Sequence, residues 1–281
     1  MKIRFRLRPM RTLYSVFLSG SLVLLILGSG NASAAGPADS GKPQAAEAAA
    51  GPNVIEPIPY FERYKPTFFL VGTPITKVQL SFKVEILDKI PFYFGYSQLM
   101  MWELFKSSAP FRDINYNPEL FYRFKINSSR IKTLDFGVEH ESNGKGDPES
   151  RSWNRAYARY YEQKSWKDRS IFWSIKAWVP TGMDDDESRA LPKRRGLYEF
   201  QIGINDFFGK VFAVNELFLR VYGGGSSRLN PFQGGQELTY REKEGSHIFL
   251  LPLYVQIFHG YGENMLDAGV KRWGFRAGVG F

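Results

Sequence analysis

The chain has 281 residues, a formal net charge of +9, 16% aromatic residues and no cysteine. A disulfide framework is therefore excluded, and after residue 34 no run reaches the roughly 18 apolar residues that a membrane-spanning helix needs. The basicity says little about partners. Lys2, Arg4, Arg6, Arg8 and Arg11 sit in an N-terminal stretch with no acid, and without these five the charge falls from +9 to +4, which gives no argument for nucleic acid.

That stretch reads as a signal peptide over residues 1–34: a basic start, an apolar core from Leu13 to Leu27 and the A-x-A site Ala32-Ser33-Ala34. Residues 35–57, made of Ala, Gly, Pro and scattered charge, read as a disordered linker. Residues 58–281 form the remaining domain. Strand-length segments recur through it: Thr67–Gly72, Val78–Leu87, Pro91–Phe105, Tyr116–Asn127, Ile131–Ser142, Ser150–Gln163, Arg169–Pro180, Arg195–Phe208, Lys210–Gly223, Gln233–Glu242, His247–Gly260 and Arg272–Phe281. Breaks of unequal length part them, short at 205–210 and long at 182–194. Twelve segments, an even number with short turns and long loops, predict a 12-stranded antiparallel transmembrane β-barrel, all-β. A soluble β-sandwich is the competing fold, and the leader and the aromatic load stand against it.

The fifth and sixth segments of this pattern make the hairpin that matters most. On Ile131–Ser142 the even positions are Leu134, Phe136, Val138, His140 and Ser142, and the odd ones include Asp135, Glu139 and Glu141. The returning strand has Trp153, Arg155, Tyr157 and Arg159 on one face and Ser152, Asn154, Ala156 and Ala158 on the other. A turn centred on Asp147 pairs His140 with Asn154 and Ser142 with Ser152, so a hydroxyl, an imidazole and an amide meet on the apolar face. These are the parts of a nucleophile, its base and an orienter. In a barrel the charged face points inward, which puts His140, Ser142 and Asn154 on the lipid-facing wall. Polar groups there are costly without a task, so the substrate is expected to live in the bilayer and carry an ester.

The last segment alternates cleanly, with Trp273, Phe275, Ala277, Val279 and Phe281 against Arg272, Gly274, Arg276, Gly278 and Gly280. Lys210–Gly223 alternates only fairly. The terminal Phe281 resembles the sorting signal of bacterial outer-membrane proteins.

The run His140-Glu141-Ser142-Asn143-Gly144-Lys145-Gly146-Asp147-Pro148-Glu149-Ser150-Arg151-Ser152-Trp153-Asn154-Arg155 resembles the signature of the outer membrane phospholipase A family. Supporting stretches are Tyr96-Ser97-Gln98 with Trp102, Pro110-Phe111-Arg112 with Asn115-Tyr116, and Gly260-Tyr261-Gly262-Glu263. The resemblance implies a barrel in the bacterial outer membrane that hydrolyses phospholipid acyl esters with Ca2+ and is active as a homodimer. Carried over residue by residue, it implies Ser142 as nucleophile, His140 as general base, Asn154 as its orienter and Gln98 as a supporting amide. For calcium it implies the carbonyl of Lys145, where the family usually has Arg, and the hydroxyl of Ser150. A further ligand is implied from the second subunit, at Ser107 or Ser108. Ser108 is favoured, although this chain has an alanine inserted into the family's Ser-Ser-Pro-Phe. Asp186, within Asp184-Asp185-Asp186, is implied for a second calcium, and Asp147 is close enough to the turn to hold the loop or a water.

The competing functions are a catalytically silent porin-like or lipid-binding barrel, an outer-membrane protease and a lipid A deacylase. A channel has no reason to keep a triad on its lipid face, a protease needs paired acids above the barrel mouth, and the long signature decides against the deacylase.

Overall fold

A computed structural model describes residues 61–126, 130–183, 186–209, 214–243 and 251–281, and the expected leader and linker lie outside them. After a three-residue strand β1 (Phe61–Arg63) come β2 (Phe68–Thr73), β3 (Thr76–Leu87), β4 (Ile90–Trp102), β5 (Phe111–Lys125), β6 (Ile131–Ser142) and β7 (Ser152–Trp166). The second half holds β8 (Arg169–Thr181), β9 (Tyr198–Asn205), β10 (Asn215–Tyr222), β11 (Gly235–Glu242), β12 (Leu253–Gly260) and β13 (Arg272–Gly280). Each strand from β2 onward pairs antiparallel with the next, and β13 returns to β2, with Phe275 opposite Thr73 and Gly280 opposite Phe68. The ring of twelve strands is closed, so no edge is left unpaired in lipid.

The period-two pattern decides which way each side chain points, and here it is inverted relative to a soluble protein. Val138 is 56% and Phe136 49% exposed on the outer wall, and Trp273, Phe275 and Val179 stand there too. The lumen instead buries charge. Lys77 bonds Glu237 at 2.9 Å and Gln256 at 2.7 Å, Arg276 grips Glu263 at 2.7 Å, and Asp135 takes both Arg123 and Arg159. Trp153, Phe121, Tyr157, Tyr93 and Trp178 form one buried cluster.

Several segment ends differ from the sequence-based expectation. Strand β4 stops at Trp102 rather than Phe105, because the Trp102 indole donates to Ala109 O at 2.7 Å and closes the turn. Strand β5 starts earlier than expected, at Phe111, and β9 spans Tyr198–Asn205 instead of Arg195–Phe208. The expected starts of the ninth and eleventh segments, Lys210 and His247, lie outside the described residues, and the described strands begin at Asn215 and Leu253. The long break expected at 182–194 carries two short helices, α1 (Asp186–Ala190) and α2 (Pro192–Arg195). Strand β1 is not among the expected segments. It extends the β2 edge of β3, pairing Phe61 with Val84, and between β1 and β2 Tyr64 stacks on Phe121 at 5.5 Å while Lys65 meets Glu119 at 2.9 Å.

Candidate active site

Strands β6 and β7 pair in the expected register, His140 opposite Asn154 and Ser142 opposite Ser152. Glu139, Glu141, Trp153 and Arg155 are buried, while Asn154 is exposed and His140 and Ser142 half-buried, so the even face points outward. His140 Nδ1 lies 2.7 Å from Asn154 Oδ1. An amide oxygen can only accept, so Nδ1 carries the proton and Nε2 keeps its lone pair for a substrate-side proton. Ser142 stands two residues further along the same face, about 6–7 Å at Cα, and its hydroxyl is bonded to no described side chain. The neighbouring strands extend this row outward: Ser142 lies opposite Tyr116, and Tyr116 opposite Gln98. Gln98 therefore shares the face with Ser142 but stands two strands away, where its Oε1 accepts from Tyr96 at 3.0 Å.

The opposite face of the same strand is held from several directions. Glu139 meets Arg155 at 2.9 Å and Lys176 at 2.8 Å. Glu141 accepts from Arg155 at 2.7 Å, Arg195 at 2.6 Å and the Trp153 indole at 3.1 Å. Arg195 is the last residue of α2, and it also donates to Gly262 O at 2.6 Å. Burial alone would weaken its hold on the proton, but Glu141 outweighs that and raises its pKa. Ser188 of α1 accepts from the Ser152 N–H at 2.9 Å, which docks the long loop on β7 at the level of Ser142. Sequence alone places Arg195 at the opening of a strand and gives Ser188 no role, and neither contact has a local signal.

Two more residues shape the site beyond those expected. Asn143, buried at the start of the turn, accepts from Arg151 N at 2.9 Å and Lys145 N at 3.4 Å and donates to Glu149 O at 2.8 Å. An Asn bonding the backbone two residues on is a recognisable turn device, so a local signal for it exists. Gly182 (φ +60°) backs directly onto Asn154, and a Cβ there would sit 2.3 Å from Asn154 Nδ2.

Asn143 ties the two ends of the turn together through its bonds to Lys145, Glu149 and Arg151. Lys145 O and Ser150 Oγ accept no hydrogen bond from any described residue, and calcium accepts neutral oxygens of this kind. The Lys145 ammonium is drawn away to Glu149 at 2.8 Å, which also lowers the Glu149 pKa, so that charge is offset within the turn. The turn thus fits a calcium ion, though no cluster of three or more His, Cys, Asp or Glu exists among the described residues. Asp147 is exposed in the same turn. Ser107 and Ser108 are exposed in the turn between β4 and β5, Ser108 at φ +62°, and Asp186 is the first residue of α1, with Asp184 and Asp185 outside the described residues.

The family model described as phospholipase A1 matches residues 73–281. The phospholipase A1 of Klebsiella pneumoniae is 33% identical over 192 residues, which cover 66% of this chain and 60% of that protein. The chain thus spans less than two thirds of the length of such relatives. Among solved structures, the Salmonella typhi outer membrane phospholipase, a dimer with bound calcium, is similar with a TM-score of 0.63 and 25% identity, covering 78% of this chain and 91% of that one. The Escherichia coli outer membrane phospholipase A has the same fold, with a TM-score of 0.63 at 24% identity over 79% of this chain and 98% of that one.

Proposed function

The chain belongs to the phospholipase A1 family, and on that premise we propose that it hydrolyses acyl esters of membrane phospholipids at the outer wall of its barrel. One observation carries this reading: the 2.7 Å contact of His140 with Asn154 on a face that otherwise presents Phe136 and Val138 to lipid. An imidazole with a fixed tautomer beside a free hydroxyl is a base and a nucleophile.

Ser142 is the nucleophile. As Oγ attacks the ester carbonyl carbon, His140 Nε2 takes its proton, and charge gathers on the carbonyl oxygen. Collapse breaks the bond to the glycerol oxygen, and His140 returns the proton to that leaving oxygen, releasing lysophospholipid. Water, deprotonated by the same Nε2, then attacks the acyl-Ser142 ester. Fatty acid leaves and Ser142 regains its proton. Asn154 holds the His140 tautomer throughout, and being neutral it places no anion in lipid. Esters at sn-1 and sn-2, and those of lysophospholipids, are the substrates.

Lys145 O and Ser150 Oγ would hold the calcium ion, with Ser108 of a second copy as a further ligand. Asp186 serves a second ion, Asp147 steadies the loop, and Gln98 supports the site from the neighbouring strands. The bound ion supplies Lewis-acid polarisation of the ester carbonyl. The Salmonella typhi relative, dimeric with calcium, supports a calcium ion and a second copy. The protein works as a homodimer in the bacterial outer membrane, after export and loss of residues 1–34, with 35–57 as a linker.

Fatty-acid release from mixed detergent–phospholipid micelles tests the reading. Wild type should hydrolyse, and EDTA or Ser142→Ala should stop it. A folded Ser142→Ala barrel with full activity would rule out this assignment.

A further inference from the structure

A proline sits in the middle of a paired strand beside the proposed base. On β5 and β6, Tyr116 pairs with Ser142 and Glu119 with Glu139, which sets His140 opposite Pro118. On the other edge of β6, Asn143 N donates to Arg151 O at 3.1 Å, toward β7. Backbone groups alternate in direction along a strand, so His140 turns its N–H and C=O the other way, toward β5. The residue facing that carbonyl has no N–H to give, which is why proline is normally kept out of central strands. A carbonyl left unpaired there would be costly.

Asn117 closes the gap. Its Nδ2 donates to His140 O at 2.9 Å, in place of the ladder bond that Pro118 withholds. The same amide is fixed from the lumen: Oδ1 accepts from Lys65 Nζ at 3.0 Å, Nδ2 lies 3.3 Å from Glu139 Oε2, and Lys65 is itself paired with Glu119 at 2.9 Å. A chain of contacts thus runs from the N-terminal segment of the barrel through one side chain to the backbone of His140.

We propose that Asn117 is a positioning residue for the base: it supplies the hydrogen bond that Pro118 cannot, and so sets the height of His140 on the outer wall against Asn154 and Ser142. The inference rests on the proposed function for its kinetic consequence, but not for its geometry.

The test is a double-mutant cycle on residues 117 and 118 in the full-length protein. Asn117→Ala should lower kcat by roughly tenfold through a displaced base, with KM little changed. Pro118→Ala adds a backbone N–H opposite His140 O, so Asn117→Ala with Pro118→Ala should recover the kcat of Pro118→Ala alone. A purely structural role for Asn117 in the lumen would not be rescued by a backbone donor. Unchanged kcat in Asn117→Ala, or a loss that Pro118→Ala fails to restore, overturns the inference. Should Asn117→Ala not fold, Asn117→Asp takes its place with the same expected outcomes, since it keeps an acceptor for Lys65 and has no N–H. Should neither fold alone, recovery of the folded band by Pro118→Ala supports the inference and its absence overturns it. If the wild type hydrolyses nothing, the functional reading fails separately. Infrared spectra of protein carrying 13C-carbonyl histidine then decide the geometry, with a band that shifts in Asn117→Ala and returns in the double variant.

Discussion

The two faces of β6 are built on opposite principles. Inward, Glu139 and Glu141 are each held by at least two cations, and Glu141 by an indole as well. Outward, His140 has one side-chain partner, and Ser142 has none among the described residues. A redundant face fixes where the strand is. A sparsely bonded face leaves its groups free to exchange protons with something that arrives from outside. On the proposed function, the strand is held on one side so that it can react on the other.

The contrast breaks most sharply at His140. His140→Ala should cut hydrolysis by roughly 10^3-fold while the heat-modifiable folded band on a gel stays unchanged, since the ring's one side-chain partner among the described residues is the exposed Asn154. Glu141→Ala should do the reverse. It takes away the carboxylate that Arg195 pairs with and leaves Arg155 to Glu139, and the lost partner of a buried pair costs about 3–5 kcal/mol. Denaturant titration should show a destabilised barrel, with activity falling only as the barrel unfolds. Equal stability of Glu141→Ala and wild type would mean the inner face is not what fixes the strand.

A smaller effect sharpens the comparison. Gly182→Ala pushes a methyl into the Asn154 amide at a position whose φ of +60° already favours glycine. It should lower kcat by roughly tenfold to a hundredfold, and adding Asn154→Ala should cost nothing further, because both act through the same hydrogen bond. Additive losses would place Gly182 outside the triad's support. Smallest is Ser150→Ala, which should raise the calcium concentration needed for half-maximal activity several-fold and weaken dimer formation with it, read by ultracentrifugation across a calcium series. A calcium requirement unmoved by this change would take Ser150 out of the metal site.

What can be read from the sequence follows from how local each cause is. The 140–154 pairing is legible because strand period and turn centre are both written within twenty-odd residues, and the inward turn of Glu139, Glu141 and Arg155 follows from parity alone. The outward Trp273 and Phe275 follow in the same way from the last segment. Arg195 is not legible. Its partner Glu141 lies 54 positions away, and the short helices that carry it to the lumen are set by that docking rather than by any periodicity of their own. Nor is Asn117, whose bond to a backbone carbonyl matters only because of the proline beside it and the strand opposite. Strand β9 ends before its sequence segment does because the apolar Phe207 and Phe208 continue past the last paired residue, Asn205, into the turn.

The central claim is that Ser142, facing lipid and served by His140, is the group that attacks the ester. Treating the folded protein with a long-chain alkyl sulfonyl fluoride and mapping the adduct by peptide mass spectrometry tests it directly. A single sulfonylated residue, Ser142, is expected, with loss of activity in proportion to labelling and no labelling in His140→Ala. An adduct on any other residue, or full labelling of Ser142 with hydrolysis intact, would contradict it.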